Sequence, residues 1–194
     1  MDRTLKLALL SLVFNVAFAI YHLALGLVTS SWWLLTLGSY YLVLSIVRFA
    51  VIRSKFKERF ITNFTGWMLI LLSLPLCGTV ILSVVQDRGH RFNMIVMIAM
   101  AAYAFTKITL ATVKLIKARH STSERLITLR NISFADAFVS IFALQRSMLV
   151  SFEGMSEKEI VIMNATLGSF VCVTVIFLGI NLLRNGKTKM PYKA

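Results

Sequence analysis

The sequence predicts an all-α protein: a six-transmembrane-helix bundle forming a single integral membrane domain over residues 1–194. Three observations predict it. Apolar residues make up 58% of the chain and charged residues 15%, too few charges to give a soluble domain of this size a polar surface. The charges gather in short clusters separated by apolar runs of about 20 residues or more, the length that crosses a hydrocarbon core as a helix. Basic clusters recur at every second break between runs, which is the charge pattern of alternating loops.

The six spans are placed at 5–28, 31–52, 62–85, 93–117, 126–149 and 160–183. The first follows Arg3 and Lys6 and runs past the roughly 7–15 apolar residues of a cleaved signal, so it reads as a membrane span. The second opens on Trp32 and Trp33, indoles suited to the membrane interface, and closes on Arg53, Lys55, Lys57 and Arg59. The third ends at the polar segment Gln86–Phe92, which leads into the fourth. Lys114, Lys117, Arg119 and Arg125 surround the next turn, where Ser121-x2-Glu124 has the form of a capping box opening the fifth span. Glu153, Glu157 and Glu159 precede the sixth, and Arg184, Lys187, Lys189 and Lys193 follow it. The basic side of this alternation holds both termini. The expectation is a multi-pass protein of the cell membrane with cytoplasmic N- and C-termini.

The net charge of +13 does not indicate nucleic acid, because the basic residues flank spans instead of lining one face of a polar fold. The expected partner is the lipid bilayer. Cys77 and Cys172 lie in apolar spans without metal-ligand spacing and read as small buried residues. No HExxH, GxSxG, P-loop or CxxC motif occurs, so an enzyme is not expected, nor is a cofactor or a bound metal.

Polar residues inside spans are costly and therefore informative. Ser11, Asn15 and His22 share one face of the first span, and Ser133, Asp136, Ser140 and Ser147 one face of the fifth. Asn164, Ser169, Thr174 and Asn181 are less regularly spaced in the sixth, and Ser39, Tyr40 and Tyr41 lie in the second. Lys107 and Asp136 stand about equally far from the turn between the fourth and fifth spans, so both reach the middle of the membrane. An unpaired ion there costs several kcal/mol, and the expectation is an ion pair. That pair either locks two helices together or marks a cation or proton site. Asn15 lies at similar depth. His22 sits further out, as a proton shuttle, a metal ligand or a hydrogen-bonding bridge to a neighbouring helix.

The second and fifth spans echo one another at a constant offset. Ser31, Leu34, Thr36 and Leu37 match Ser123, Leu126, Thr128 and Leu129, and the same offset sets Asn15 opposite Lys107 and Leu44 opposite Asp136. Helix pairs entering from opposite sides would make an inverted repeat, a plan that puts a transport site near the midplane.

Asn15-x6-His22-x3-Gly26-x4-Ser31 followed by Trp32-Trp33-Leu34-Leu35-Thr36-Leu37, together with Asn131-Ile132-Ser133-Phe134-Ala135-Asp136-Ala137, resembles the first two helices and the fifth helix of the cation diffusion facilitators. The resemblance implies six spans, cytoplasmic termini and a homodimer. It also implies a tetrahedral site of two ligands from helix two and two from helix five, each pair one helical turn apart. The matching positions are Tyr40, Leu44, Ile132 and Asp136, of which only Asp136 keeps a ligand type. The family's His-rich segment before the third span is missing, and the chain continues past the sixth span only to Ala194. The metal site is thus degenerate. Two functions follow as expectations: an ion or small-solute transporter with a diverged midplane site at Asp136, drawing on Lys107, Asn15, His22 and Tyr40, or a non-transporting membrane protein that keeps the fold for a structural or partner-binding role. In the second, the Lys107 ammonium is a tethered cation in place of the metal. The transporter requires a water path to Asp136; the alternative requires a dry pair in a packed core.

Overall fold

The computed structural model describes residues 3–53, 58–85, 94–118, 123–151 and 155–188. These form six α-helices: α1 (Arg3–Val28), α2 (Trp32–Arg53), α3 (Glu58–Val85), α4 (Met94–Ala118), α5 (Glu124–Ser151) and α6 (Glu157–Thr188). Each coincides with one expected span to within a few residues at either end. Five are long and apolar enough to cross a membrane; the exception is α4, whose apolar stretch is the shorter Met97–Val113. Five of the six expected spans thus meet that criterion among the described residues, and the one over α4 does not. Lys107 stands within its apolar stretch and Lys114 and Lys117 follow closely, so hydropathy alone does not carry it across. Lys55, Lys57, His90, Arg119, His120, Ser121 and Glu153 lie outside the described residues, and with them the expected capping box.

A true capping box opens α6 instead. Glu159 accepts from the Ser156 backbone N–H at 2.9 Å and from its hydroxyl at 2.8 Å, while the Glu159 N–H donates back to Ser156 Oγ at 3.4 Å. The α1–α2 turn is a Schellman closure. Ser31 N–H donates to the Gly26 carbonyl at 3.0 Å and Ser30 N–H to that of Leu27 at 3.4 Å, which requires Ser30 to be left-handed, at φ 49°.

The helices pack as three close pairs: α1 with α2, α4 with α5, and α3 with α6. The first two pairs meet through α1–α4 and α2–α5 contacts, making a four-helix group, and α3 and α6 pack against α2 and α5 from outside it. Exchanging the halves α1–α3 and α4–α6 maps most of these pairings onto themselves. The α3–α6 approach is set by two glycines: a Cβ on Gly66 would lie 2.9 Å from the Gly179 carbonyl oxygen, and a Cβ on Gly179 2.9 Å from that of Gly66. Without lipid-excluded apolar gain between membrane helices, such backbone proximity is what holds them together.

The pattern of burial is that of a membrane protein. Large apolar side chains stand outward along the helices, among them Val13, Trp67, Ile95, Phe105 and Phe177, while Asn15, Arg48, Lys107 and Asp136 are enclosed. The most enclosed helix is α5, with Met148 its only large apolar side chain that is exposed among the described residues. Trp32 is exposed as an interface residue would be, but Trp33 is buried. Its ring lies beneath the buried Arg146 guanidinium, 5.0 Å away, so it is a packing residue of the bundle. Ser39, grouped with the tyrosines in sequence, faces outward. Cys77 and Cys172 are free thiols.

Candidate functional site

The polar stripes of α1 and α5 both turn inward. Ser11, Asn15 and His22 are buried, as are Ser133, Asp136, Ser140 and Ser147. The α5 serines bond their own helix: Ser133 Oγ donates to the Leu129 carbonyl, Ser140 to that of Asp136 and Ser147 to that of Ala143. Their hydroxyls are thereby satisfied within the helix, and they line the face on which the Asp136 carboxylate sits.

Asp136 is wholly enclosed, and one of its oxygens gathers three donors from three other helices. Its Oδ2 accepts from Asn15 Nδ2 of α1 at 2.9 Å, from Arg48 Nη2 of α2 at 3.0 Å and from Lys107 Nζ of α4 at 2.5 Å. Two further contacts close the ring. Tyr103 on α4 donates to Asn15 Oδ1 at 3.0 Å, and Arg48 Nη1 donates to Ser11 Oγ at 2.5 Å. The carbonyl of Asn15 is thereby occupied, which turns its amide group toward the carboxylate. Tyr41 completes the roof: since the single Ser140 hydrogen is given to the Asp136 carbonyl, the Tyr41 hydroxyl must be the donor in its 3.1 Å bond to Ser140 Oγ. The Lys107 ammonium also faces the Tyr103 and Tyr41 rings, 4.8 and 5.7 Å from their centroids.

Of the five residues expected to form the site, Asp136, Lys107 and Asn15 come together. His22 does not join them. Its Nδ1 donates to the Phe18 carbonyl of its own helix at 2.9 Å, in place of the bridge to a neighbouring helix, and its ring packs 4.2 Å from Phe18. Tyr40 is buried edge-on against Tyr41, and its hydroxyl has no hydrogen-bond partner among the described residues. Leu44 and Ile132, at the other matching positions, are fully buried core residues. Among the described residues no three His, Cys, Asp or Glu side chains converge to hold a metal.

Arg48 is the residue that sequence reasoning missed. It is fully buried and directly on the carboxylate, yet its place five residues before the basic cluster that starts at Arg53 made it look like part of the flank. The available signal was its position inside the second span. Its presence changes the charge balance: two basic side chains meet one carboxylate, so the centre holds an excess positive charge when both are protonated. Asn15 and Lys107, set opposite each other by the sequence offset, bond the same oxygen from α1 and α4.

A cavity of about 520 Å³ lies between α1 and α4, lined by Phe14, Phe18, Tyr21, Met100, Tyr103 and Lys107 among others. It is a mostly apolar groove on the side of the bundle, and among the described residues Lys107 is the one charged residue lining it. No family model matches the sequence, and no curated protein does.

Proposed function

We propose that the chain is a non-transporting multi-pass membrane protein, in which an internal ion cluster stands where a transport site would be and the fold serves a structural or partner-binding role. One observation carries this reading. Asp136 is fully enclosed, and its Oδ2 is occupied by Arg48 and Lys107, two cations covalently tied to neighbouring helices. A travelling cation would meet two fixed cations that already hold Oδ2 through charge-assisted bonds and repel it, leaving it only the buried Oδ1, which has no hydrogen-bond partner among the described residues. The tethered-cation idea therefore needs two cations, not one.

The same cluster supports a sixth crossing by α4. A lone lysine near a helix centre costs about 3 kcal/mol on insertion scales, and pairing with Asp136 offsets it. The placement of basic residues supports cytoplasmic termini and residence in the cell membrane. The four-helix grouping of α1, α2, α4 and α5 around the Asp136 position is what the cation-diffusion-facilitator resemblance leads one to look for, and a homodimer is proposed from that resemblance alone. A second reading, transport at a site rebuilt around Asp136, is favoured by one feature: the α1–α4 groove reaches Lys107 from outside the bundle.

The test is flux of divalent cations, monovalent cations and protons into liposomes holding the purified protein, beside Asp136→Asn. Flux no greater than in empty liposomes is expected. Flux that Asp136→Asn abolishes would replace this reading with the transporter.

A further inference from the structure

We propose that the groove between α1 and α4 is a binding site for a single-chain amphiphile with an anionic head, a fatty-acid carboxylate seated on Lys107. The first argument is access. The groove opens sideways, and the side chains along its walls include Phe14 and Ile95, exposed apolar groups on the outer surface of the bundle. A ligand reaching it comes from the bilayer and needs an apolar body. The second is shape. From Ile95 to Lys107 the α4 wall rises about 18 Å, enough for an extended acyl chain, with Ala99 leaving room at its middle. The third is charge. At the inner part of the groove stands Lys107, itself 3% exposed, in a centre where two buried cations share one carboxylate. An ammonium has three donors and Asp136 takes one of them, so Lys107 can bond a second anion without leaving the first. A carboxylate arriving there would neutralise the excess charge in a medium where charge imbalance is costly. A neutral chain would fill the groove without doing so, which is why the anionic head defines the site.

The proposal rests on the reading that Asp136 takes no external cation, and its test is separate from the flux experiment. The protein, in nanodiscs of zwitterionic lipid, is titrated with nitroxide-labelled stearate at near-neutral pH, and the motionally restricted spectral component is measured by electron paramagnetic resonance. A saturable restricted component is expected. Unlabelled stearate should displace it roughly 10- to 100-fold better than stearyl alcohol, the range a charge-assisted contact supplies. Acetate should not displace it. Lys107→Arg should keep the binding, and Lys107→Met should weaken it by a similar factor. Ala99→Trp, which fills the groove without touching the ion cluster, should remove it. Equal displacement by acid and alcohol, or unchanged affinity in Lys107→Met, would make the groove an ordinary lipid contact and overturn the proposal. Displacement by acetate would identify a free-anion site instead. Persistence in Ala99→Trp would put the binding elsewhere. None of these failures alters the flux result.

Discussion

Replacing Asp136 by Asn should destabilise the protein far more than replacing a cation that binds it. At an effective dielectric of 20, opposite unit charges at the 3.0 Å Arg48–Asp136 separation attract by about 5 kcal/mol, and Lys107 at 2.5 Å contributes a comparable attraction. Desolvation of the three groups cancels much of this gross value. The ranking is decided by what each substitution leaves behind. Asp136→Asn leaves two cations, both almost fully buried, with no counter-charge and with each other's repulsion. Stripping one partner from a buried pair costs about 3–5 kcal/mol, and here two pairs share the partner that is lost, so the upper end is expected. Lys107→Met leaves Arg48 and Asp136 as a neutral pair and keeps most of the side-chain volume. Its expected cost is about 2 kcal/mol, the scale of one charge-assisted hydrogen bond. The assay is equilibrium unfolding in detergent micelles, followed by tryptophan fluorescence, to which the buried Trp33 contributes. Equal losses for the two variants would refute the charge-balance argument, because they would mean that Lys107 does not add a charge to the native centre.

Other variants probe the frame around the cluster. Ser30→Gly should stabilise by up to about 1 kcal/mol in the same unfolding assay, because glycine adopts the left-handed conformation that Ser30 holds at φ 49° without a Cβ penalty. Gly179→Ala should destabilise by about 1–3 kcal/mol, since its Cβ would lie 2.9 Å from the Gly66 carbonyl and 2.8 Å from Ile70 Cγ1; an unchanged unfolding midpoint would show that the α3–α6 pair separates at little cost. Tyr41→Phe should cost only about 0.6 kcal/mol, the average worth of a hydrogen bond between membrane helices, because Ser140 keeps its bond to the Asp136 carbonyl.

The parts of the site that were legible in sequence are those governed by depth and periodicity. Asn15 and Asp136 could be placed on inward stripes because polar groups inside apolar runs repeat at helical spacing. Lys107 could be set against Asp136 because two helices joined by one turn keep a common register, and the two are in contact. Arg48 was not legible in the same way. Arginine near the end of a span ordinarily extends its head to the interface, and only the packing of α2 against α1 and α5 turns it inward onto Ser11 and Asp136. The reverse holds for His22. Its stripe pointed inward correctly, but Phe18 and Tyr41 fill the space around it and its hydrogen bond closes on its own helix.

By itself the sequence determined the helical class, the helix limits to within a few residues and the matching positions of Lys107 and Asp136 along their helices. Those follow from apolar length and from the 1.5 Å rise of a helix, which are local quantities. The tertiary structure alone decided that three donors converge on one carboxylate oxygen, that the centre holds two cations for one anion, and that a groove beside α1 and α4 reaches Lys107. These depend on how helices far apart in the chain rotate about their axes and cross, and no local pattern in the sequence encodes those angles.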